Sequence, residues 1–227
     1  MAADYWIRRE EVSVGPLALA AILSVPDRAR GVVVFAHGSG SSRNSPRNVQ
    51  VAAALHARRF ATLLLDLLTV EEAHTRSNVF DIELLSERVV QAVHWIGRDP
   101  RTEHLPVGLF GASTGAAAAL AAAARLPGNV RVVVSRGGRP DLAGAELGNV
   151  RAPTLLIVGG ADHAVIKLNT DALHHLTCLK RLEVIPGATH LFEEEGALES
   201  MTSAAAHWFD LYLLPEKAAQ ASAAGKR

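Results

Sequence analysis

The sequence is short of several things, and each shortage removes a class of function. It has one cysteine, Cys178, so no internal disulfide can form. No glycine-flanked turn presents that thiol, and it is expected to pack as a small apolar side chain. There is no charge of one sign in excess: 23 Lys and Arg balance 23 Asp and Glu, for a formal net charge of zero. A general nucleic-acid binder needs a basic surplus to neutralise phosphates, so nucleic acid is not expected as a partner. Long apolar runs are missing too. The alanine-rich stretch after Ser113 ends at Arg125, short of the roughly 20 residues that span a bilayer. The opening MAADYWIRRE lacks the apolar core of a signal peptide. These features lead to the expectation of a soluble, cytoplasmic chain with no membrane partner. No internal repeat and no interdomain linker breaks the sequence.

What is present points to one compact domain with a large core: 227 residues, 49% of them hydrophobic. EVSVGPLALAAILSVP reads as two strands about the Gly15-Pro16 turn. GVVVF, FATLLLDLL, VGLF, VRVVVS, TLLIVGG and KRLEVI follow. Most of these runs show no polar alternation, as suits strands buried on both faces of a parallel sheet. Helical patterns fall between them, from Ser45 to about Arg58, Asp81 to Ile96, after Ser113, Val165 to Leu176, and Ala197 to Leu213. The alternation predicts an α/β class: a mostly parallel sheet covered by helices on both faces. The domain is expected over residues 1–214, and the alanine- and lysine-rich tail from Pro215 is expected to fray. Ligands of such sheets bind beyond the carboxyl ends of the strands, so the loops after the apolar runs carry the functional argument.

One of those loops is Gly111-Ala112-Ser113-Thr114-Gly115, a G-x-S-x-G pattern between a strand and a helix. A nucleophile on so sharp a turn needs strained backbone angles and small neighbours, which glycine provides. The competing reading makes Ser113 a simple helix cap. A serine nucleophile needs a base, and the base needs an orienting acid. His190, in PGATHLFEEEG after the last strand, is the candidate base. His56, His94, His174, His175 and His207 lie in helical patterns, and His37 is expected to hold a loop by hydrogen bonds. Asp162, just after TLLIVGG, is the candidate acid, with a helix-capping role as its alternative and Asp141 as the runner-up. His163, next to Asp162 in sequence, is poorly placed to be its base. The Gly-rich AHGSGSS loop can offer N–H donors to an oxyanion. It lacks the G-x-x-x-x-G-K-[ST] pattern of a phosphate-binding loop.

The order Ser113, Asp162, His190 resembles that of the α/β-hydrolase superfamily. AHGSGSSRNSPRN, LLLDLLT, VVSRGGRPDLAG, LLIVGGADHAVI and IPGATHLFEEEG narrow the resemblance to the dienelactone-hydrolase-like family. Within it, the chain is similar to hydrolase domains that occur fused to phosphoribosyltransferase-like domains. The resemblance covers nearly the whole chain. It implies an α/β-hydrolase fold with an eight-stranded, mostly parallel sheet and an antiparallel opening pair. It implies Ser113 as nucleophile, Asp162 as acid and His190 as base, with oxyanion donors on the N–H groups of Ser39 and Thr114 and a further contact at Gly40. Dienelactone hydrolases themselves carry a cysteine nucleophile and a glutamate after the first-loop histidine. Here those positions are Ser113 and Gly38, so their thiolate chemistry does not carry over.

From Ser135 to Pro153 there is room for one short helix and loops but not for a cap domain, which suggests an open site. Arg43, Arg47, Arg136 and Arg139 flank the site-facing loops and could clamp an anionic substrate. Alternatively they pair with Asp66, Asp141 or glutamates and only fix loops. The leading expectation is a serine hydrolase of small acyl substrates that needs no cofactor and no metal ion. The alternatives are a ligand- or partner-binding domain without catalysis, or a thioester or lactone hydrolase on the same scaffold. The sequence leaves monomer and homodimer equally open.

Overall fold

The structure, a computed structural model, describes residues 6–214. The expectation for the tail from Pro215 lies outside the described residues. In chain order the elements are β1 (Ile7–Val14), β2 (Leu19–Pro26), β3 (Gly31–Ala36), α1 (Pro46–Ala57) and β4 (Phe60–Leu65). Two short helices follow, α2 (Val70–Ala73) and α3 (Arg76–Phe80), then α4 (Ile82–Ile96), β5 (Val107–Ala112), α5 (Thr114–Arg125) and β6 (Val130–Arg136). A 3-10 segment (Pro140–Asn149), β7 (Thr154–Gly159), α6 (His163–His175), β8 (Lys180–Ile185) and α7 (Ala197–Tyr212) complete the domain.

The eight strands form one sheet in the order β1-β2-β4-β3-β5-β6-β7-β8. β2 runs antiparallel to both β1 and β4, and every other pairing is parallel. The expected α/β-hydrolase architecture is therefore present. Between β6 and β7 lie only the 3-10 segment and loops, with no cap domain.

Alternation along the strands builds the two core layers, because successive side chains point to opposite faces. Val32, Val34, Leu109 and Val133 pack with Leu85 and Val89 of α4 and Leu120 of α5. Val33, Phe35, Phe110, Val132 and Val134 pack with Val51 and Leu55 of α1 and Met201 and Phe209 of α7. β3 and β5 are neighbours, but their following helices lie on opposite faces. The loops after them diverge there and open the crevice that such sheets use for ligands.

Candidate active site

Ser113 occupies the turn between β5 and α5 with φ 51° and ψ −121°. A β-carbon-bearing residue is disfavoured there by roughly 1–3 kcal/mol, so the surroundings must hold it. They do so through the backbone. Ser113 N–H donates to Arg136 O at 3.2 Å, and Arg139 N–H donates to Ser113 O at 3.1 Å. Both flanking glycines are sterically required. A side chain on Gly111 would lie 2.7 Å from Gly115 O, and one on Gly115 would collide with the carbonyl oxygens of Ala36 and His37. The capping alternative for Ser113 fails, because its side chain makes no capping hydrogen bond to α5.

Asp162 stands at the capping position of α6, and it too makes no side-chain cap. Its Oδ2 instead accepts from His190 Nδ1 at 2.7 Å. A neutral imidazole held this way carries its proton on Nδ1 and leaves Nε2 as an acceptor. Asp141, the runner-up acid, is engaged elsewhere by both Arg139 Nε and Nη2, at 2.9 and 2.7 Å. His163 is the exposed first residue of α6. Gly38 abuts Ser113 Cβ, and Gly137 lies beside the His190 ring. The nucleophile candidate and the Asp162–His190 pair thus share one end of the sheet, although Ser113 Oγ and His190 are not hydrogen-bonded to each other. Such contacts often tighten only around substrate.

His37 holds the loop after β3, as the sequence suggested. Leu67 N–H donates to its Nε2 at 3.2 Å, which leaves Nδ1 to donate to Gly38 O at 2.9 Å. Burial pushes its pKa below the usual value, in keeping with this neutral, doubly bonded ring. The two expected oxyanion donors differ in their present partners. Ser39 N–H is not open, because it donates to the Thr114 hydroxyl at 3.1 Å. A rotation of the Thr114 side chain is needed to free it. Thr114 N–H opens α5 and so has no intrahelical acceptor.

A cavity of about 340 Å³ adjoins these donors. Gly38, Ser39, Gly40 and Thr114 form its floor, and Leu67, Leu68, Val70, Ala73, Val79 and Leu85 form its apolar wall. The sequence reading missed that wall. One signal for it was available: Thr69-Val70-Glu71-Glu72 is a capping box, with Thr69 Oγ1 accepting from Glu72 N–H at 3.1 Å and Glu72 Oε2 accepting from Thr69 N–H at 2.9 Å. Glu72 also pairs with Arg88 at 2.9 Å, which ties the wall to α4.

The four arginines divide by partner. Arg43 is committed to Asp66, through its N–H at 2.5 Å and through its guanidinium. That pair fixes the loop after β3. Arg139 is committed to Asp141. Arg47 shares one nitrogen with Glu193 at 3.2 Å. Arg136 is buried and has no carboxylate partner among the described residues. Cys178 is half-buried with its thiol 3.7 Å from Thr154 Oγ1, and burial raises its pKa, as fits a packing residue. Among the described residues no helix is long and apolar enough to cross a membrane, and no three His, Cys, Asp or Glu cluster to hold a metal ion.

A family model described as "Dienelactone hydrolase family" matches residues 19–213. The chain belongs to the dienelactone hydrolase family. A dienelactone hydrolase from Anabaena variabilis is 54% identical, with a TM-score of 0.87 over 92% of this chain and 99% of that one. Two curated proteins from Mycobacterium tuberculosis strains, each named "Putative phosphoribosyl transferase", are 59% identical over 92% of this chain. The chain spans about half the length of these curated relatives, 47%. At 18% identity and a TM-score of 0.72, a "Dienelactone Hydrolase-like Promiscuous Phospotriesterase" from metagenomic libraries shares the fold over 91% of this chain and 99% of its own. Family and fold together support a hydrolase.

Proposed function

We propose that this chain is a serine hydrolase that cleaves a carboxylic ester, or a related thioester or lactone, through an acyl-enzyme. The observation that carries the proposal is the Asp162–His190 hydrogen bond of 2.7 Å beside a serine on a strained turn. Both Ser113 and Asp162 sit at helix-capping positions without capping, so a structural role leaves both side chains unexplained.

In the proposed reaction His190 Nε2 takes the Ser113 hydroxyl proton while Ser113 Oγ attacks the acyl carbon. Asp162 holds the ring in the competent tautomer and stabilises the imidazolium. The developing oxyanion is met by Thr114 N–H and, once the Thr114 hydroxyl turns away, by Ser39 N–H. His190 returns its proton to the leaving oxygen, and water activated by the same ring then releases the acid. The apolar cavity beside the oxyanion donors takes the acyl group. The chemistry requires neither metal nor cofactor. The open surface over the site favours small, accessible substrates.

The test is hydrolysis of 4-nitrophenyl butanoate by the wild type and by Ser113→Ala. Turnover should vanish in a variant that melts as a folded protein. Turnover that survives in folded Ser113→Ala sinks the proposal.

A further inference from the structure

The segment after β4 carries apolar side chains that the fold itself does not use. α2 and α3 contribute no buried residue to either core layer. Val70 is 79% exposed, Ala73 is exposed and Val79 is half-buried. Single apolar residues on a surface need no explanation. These three, however, line one cavity together with Leu67, Leu68 and Leu85. Leu67 and Leu85 are buried and form the inner part of its wall, while Val70 and Ala73 form the rim. A concave apolar patch of this kind marks a ligand groove. The rim is held in place. Glu72 closes the capping box with Thr69, its carboxylate pairs with the buried Arg88 of α4, and its carbonyl accepts from Asn78 Nδ2 at 3.0 Å.

The other end of the cavity decides what enters it. Gly38, Ser39 and Thr114 line it there, and Gly38 abuts Ser113 Cβ. A chain attached to an acyl carbon at Ser113 therefore runs from these residues along the apolar wall towards α2 and α3. Among the described residues no lysine or arginine lines the cavity, and its one carboxylate, Asp66, is paired with Arg43. A charged chain end would lose its water there without a fixed cation to replace it. At roughly 30 Å³ per methylene, close to a water molecule's share of the liquid, the cavity of about 340 Å³ has room for about ten carbons.

We propose that the α2–α3 wall selects the acyl half of the substrate. The group it takes is an uncharged aliphatic chain of medium length, about eight to ten carbons by volume, and Ala73 and Val79 set the limit. The proposal rests on the ester-hydrolase reading and deepens it by naming the acyl class. Each methylene that leaves water for the wall strengthens binding about fourfold, until the chain outruns the cavity. The chain is held alike before and during the attack on the acyl carbon, so the gain falls on KM more than on kcat.

A series of 4-nitrophenyl esters tests it: acetate, butanoate, hexanoate, octanoate and dodecanoate, with the mono-ester of hexanedioate as the charged chain. The expected result is a rise in kcat/KM of about 100-fold or more from acetate to octanoate, mainly through KM, with no further gain at dodecanoate. The hexanedioate ester should fall below hexanoate by about tenfold or more. Ala73→Phe and, independently, Val79→Phe fill the cavity, and each should lower the octanoate-to-acetate ratio by about tenfold. A flat series from acetate onwards, a preference for the hexanedioate ester, or a ratio unmoved in both variants overturns the proposal. A binding arm needs no turnover. The melting temperature of Ser113→Ala should rise more with sodium octanoate than with sodium acetate at equal concentration, and Ala73→Phe in that background should abolish the difference. That difference without hydrolysis of any ester keeps the aliphatic-chain site and rejects the hydrolase reading. Hydrolysis with a flat series and without the difference does the reverse.

Discussion

Substituting Asp162 by asparagine separates the two roles that its position allows. Asparagine caps a helix as well as aspartate does, so a capping residue would tolerate the change with no loss of stability. In the structure the carboxylate does not cap; it accepts from His190 Nδ1 at 2.7 Å. An asparagine amide can instead donate to Nδ1, which moves the imidazole proton to Nε2 and removes the acceptor that the Ser113 hydroxyl requires. In a serine protease the equivalent change lowers kcat about 10⁴-fold, or about 5 kcal/mol of transition-state stabilisation at 1.36 kcal/mol per tenfold. The expected result is therefore a loss of about 10³ to 10⁴ in kcat with little change in melting temperature. Steady-state hydrolysis of 4-nitrophenyl butanoate and a thermal melt read the two quantities. Asp141→Asn is the control. It breaks the bidentate pair with Arg139, so it should lose a little stability and keep most turnover. If Asp162→Asn keeps wild-type kcat, or Asp141→Asn is the more damaging of the two, the assignment of the acid is wrong.

Two further predictions concern the frame around the site. Gly115→Ala would drive a β-carbon into the Ala36 and His37 carbonyl oxygens. Overpacking of this kind costs about 1–3 kcal/mol or more, or several degrees of melting temperature for a domain of this size, and an unchanged melt would contradict the close contact of the two loops. His56, bonded through Nε2 to Thr62 Oγ1 at 2.8 Å, has its pKa drawn from 6.5 to about 4 by burial and then by Arg9. The unfolded chain then binds the extra proton between those two values, so stability should be level above pH 6.5, fall as the pH drops towards 4 and level again below it. Urea melts of wild type and His56→Asn across that range should show a shallower fall in the variant, and identical slopes would refute the contribution.

Much of this was legible in the sequence because the strands are buried on both faces. Runs such as Val32–Phe35 and Thr154–Val158 carry no polar residue but the terminal threonine, and the helix between each pair is long enough to show its period. The wall of the cavity was not legible in the same way. α2 and α3 have four and five residues, too few for a helical period, and only the capping box at Thr69 marks them. Ser113 and Asp162 each precede a helix and look alike as caps; only the tertiary position of His190 tells the two readings apart. The bond from Ser39 N–H to the Thr114 hydroxyl joins residues 75 apart and leaves no local trace. The arginines were indistinguishable by type. Arg139 and Asp141 are two residues apart, but Arg43 finds Asp66 only through the fold. Arg136 could have been singled out by extending the alternation of VRVVVS one step, which places it on the same face as Val132 and Val134.

The central claim is that Ser113 is a nucleophile activated by the Asp162–His190 pair. Labelling with a fluorophosphonate, followed by mass spectrometry of the tryptic peptides, tests it most directly. The account predicts a stoichiometric adduct on Ser113 in the wild type, with labelling slowed by orders of magnitude in His190→Ala. No adduct on folded wild-type protein, or equally fast labelling in His190→Ala, would contradict it.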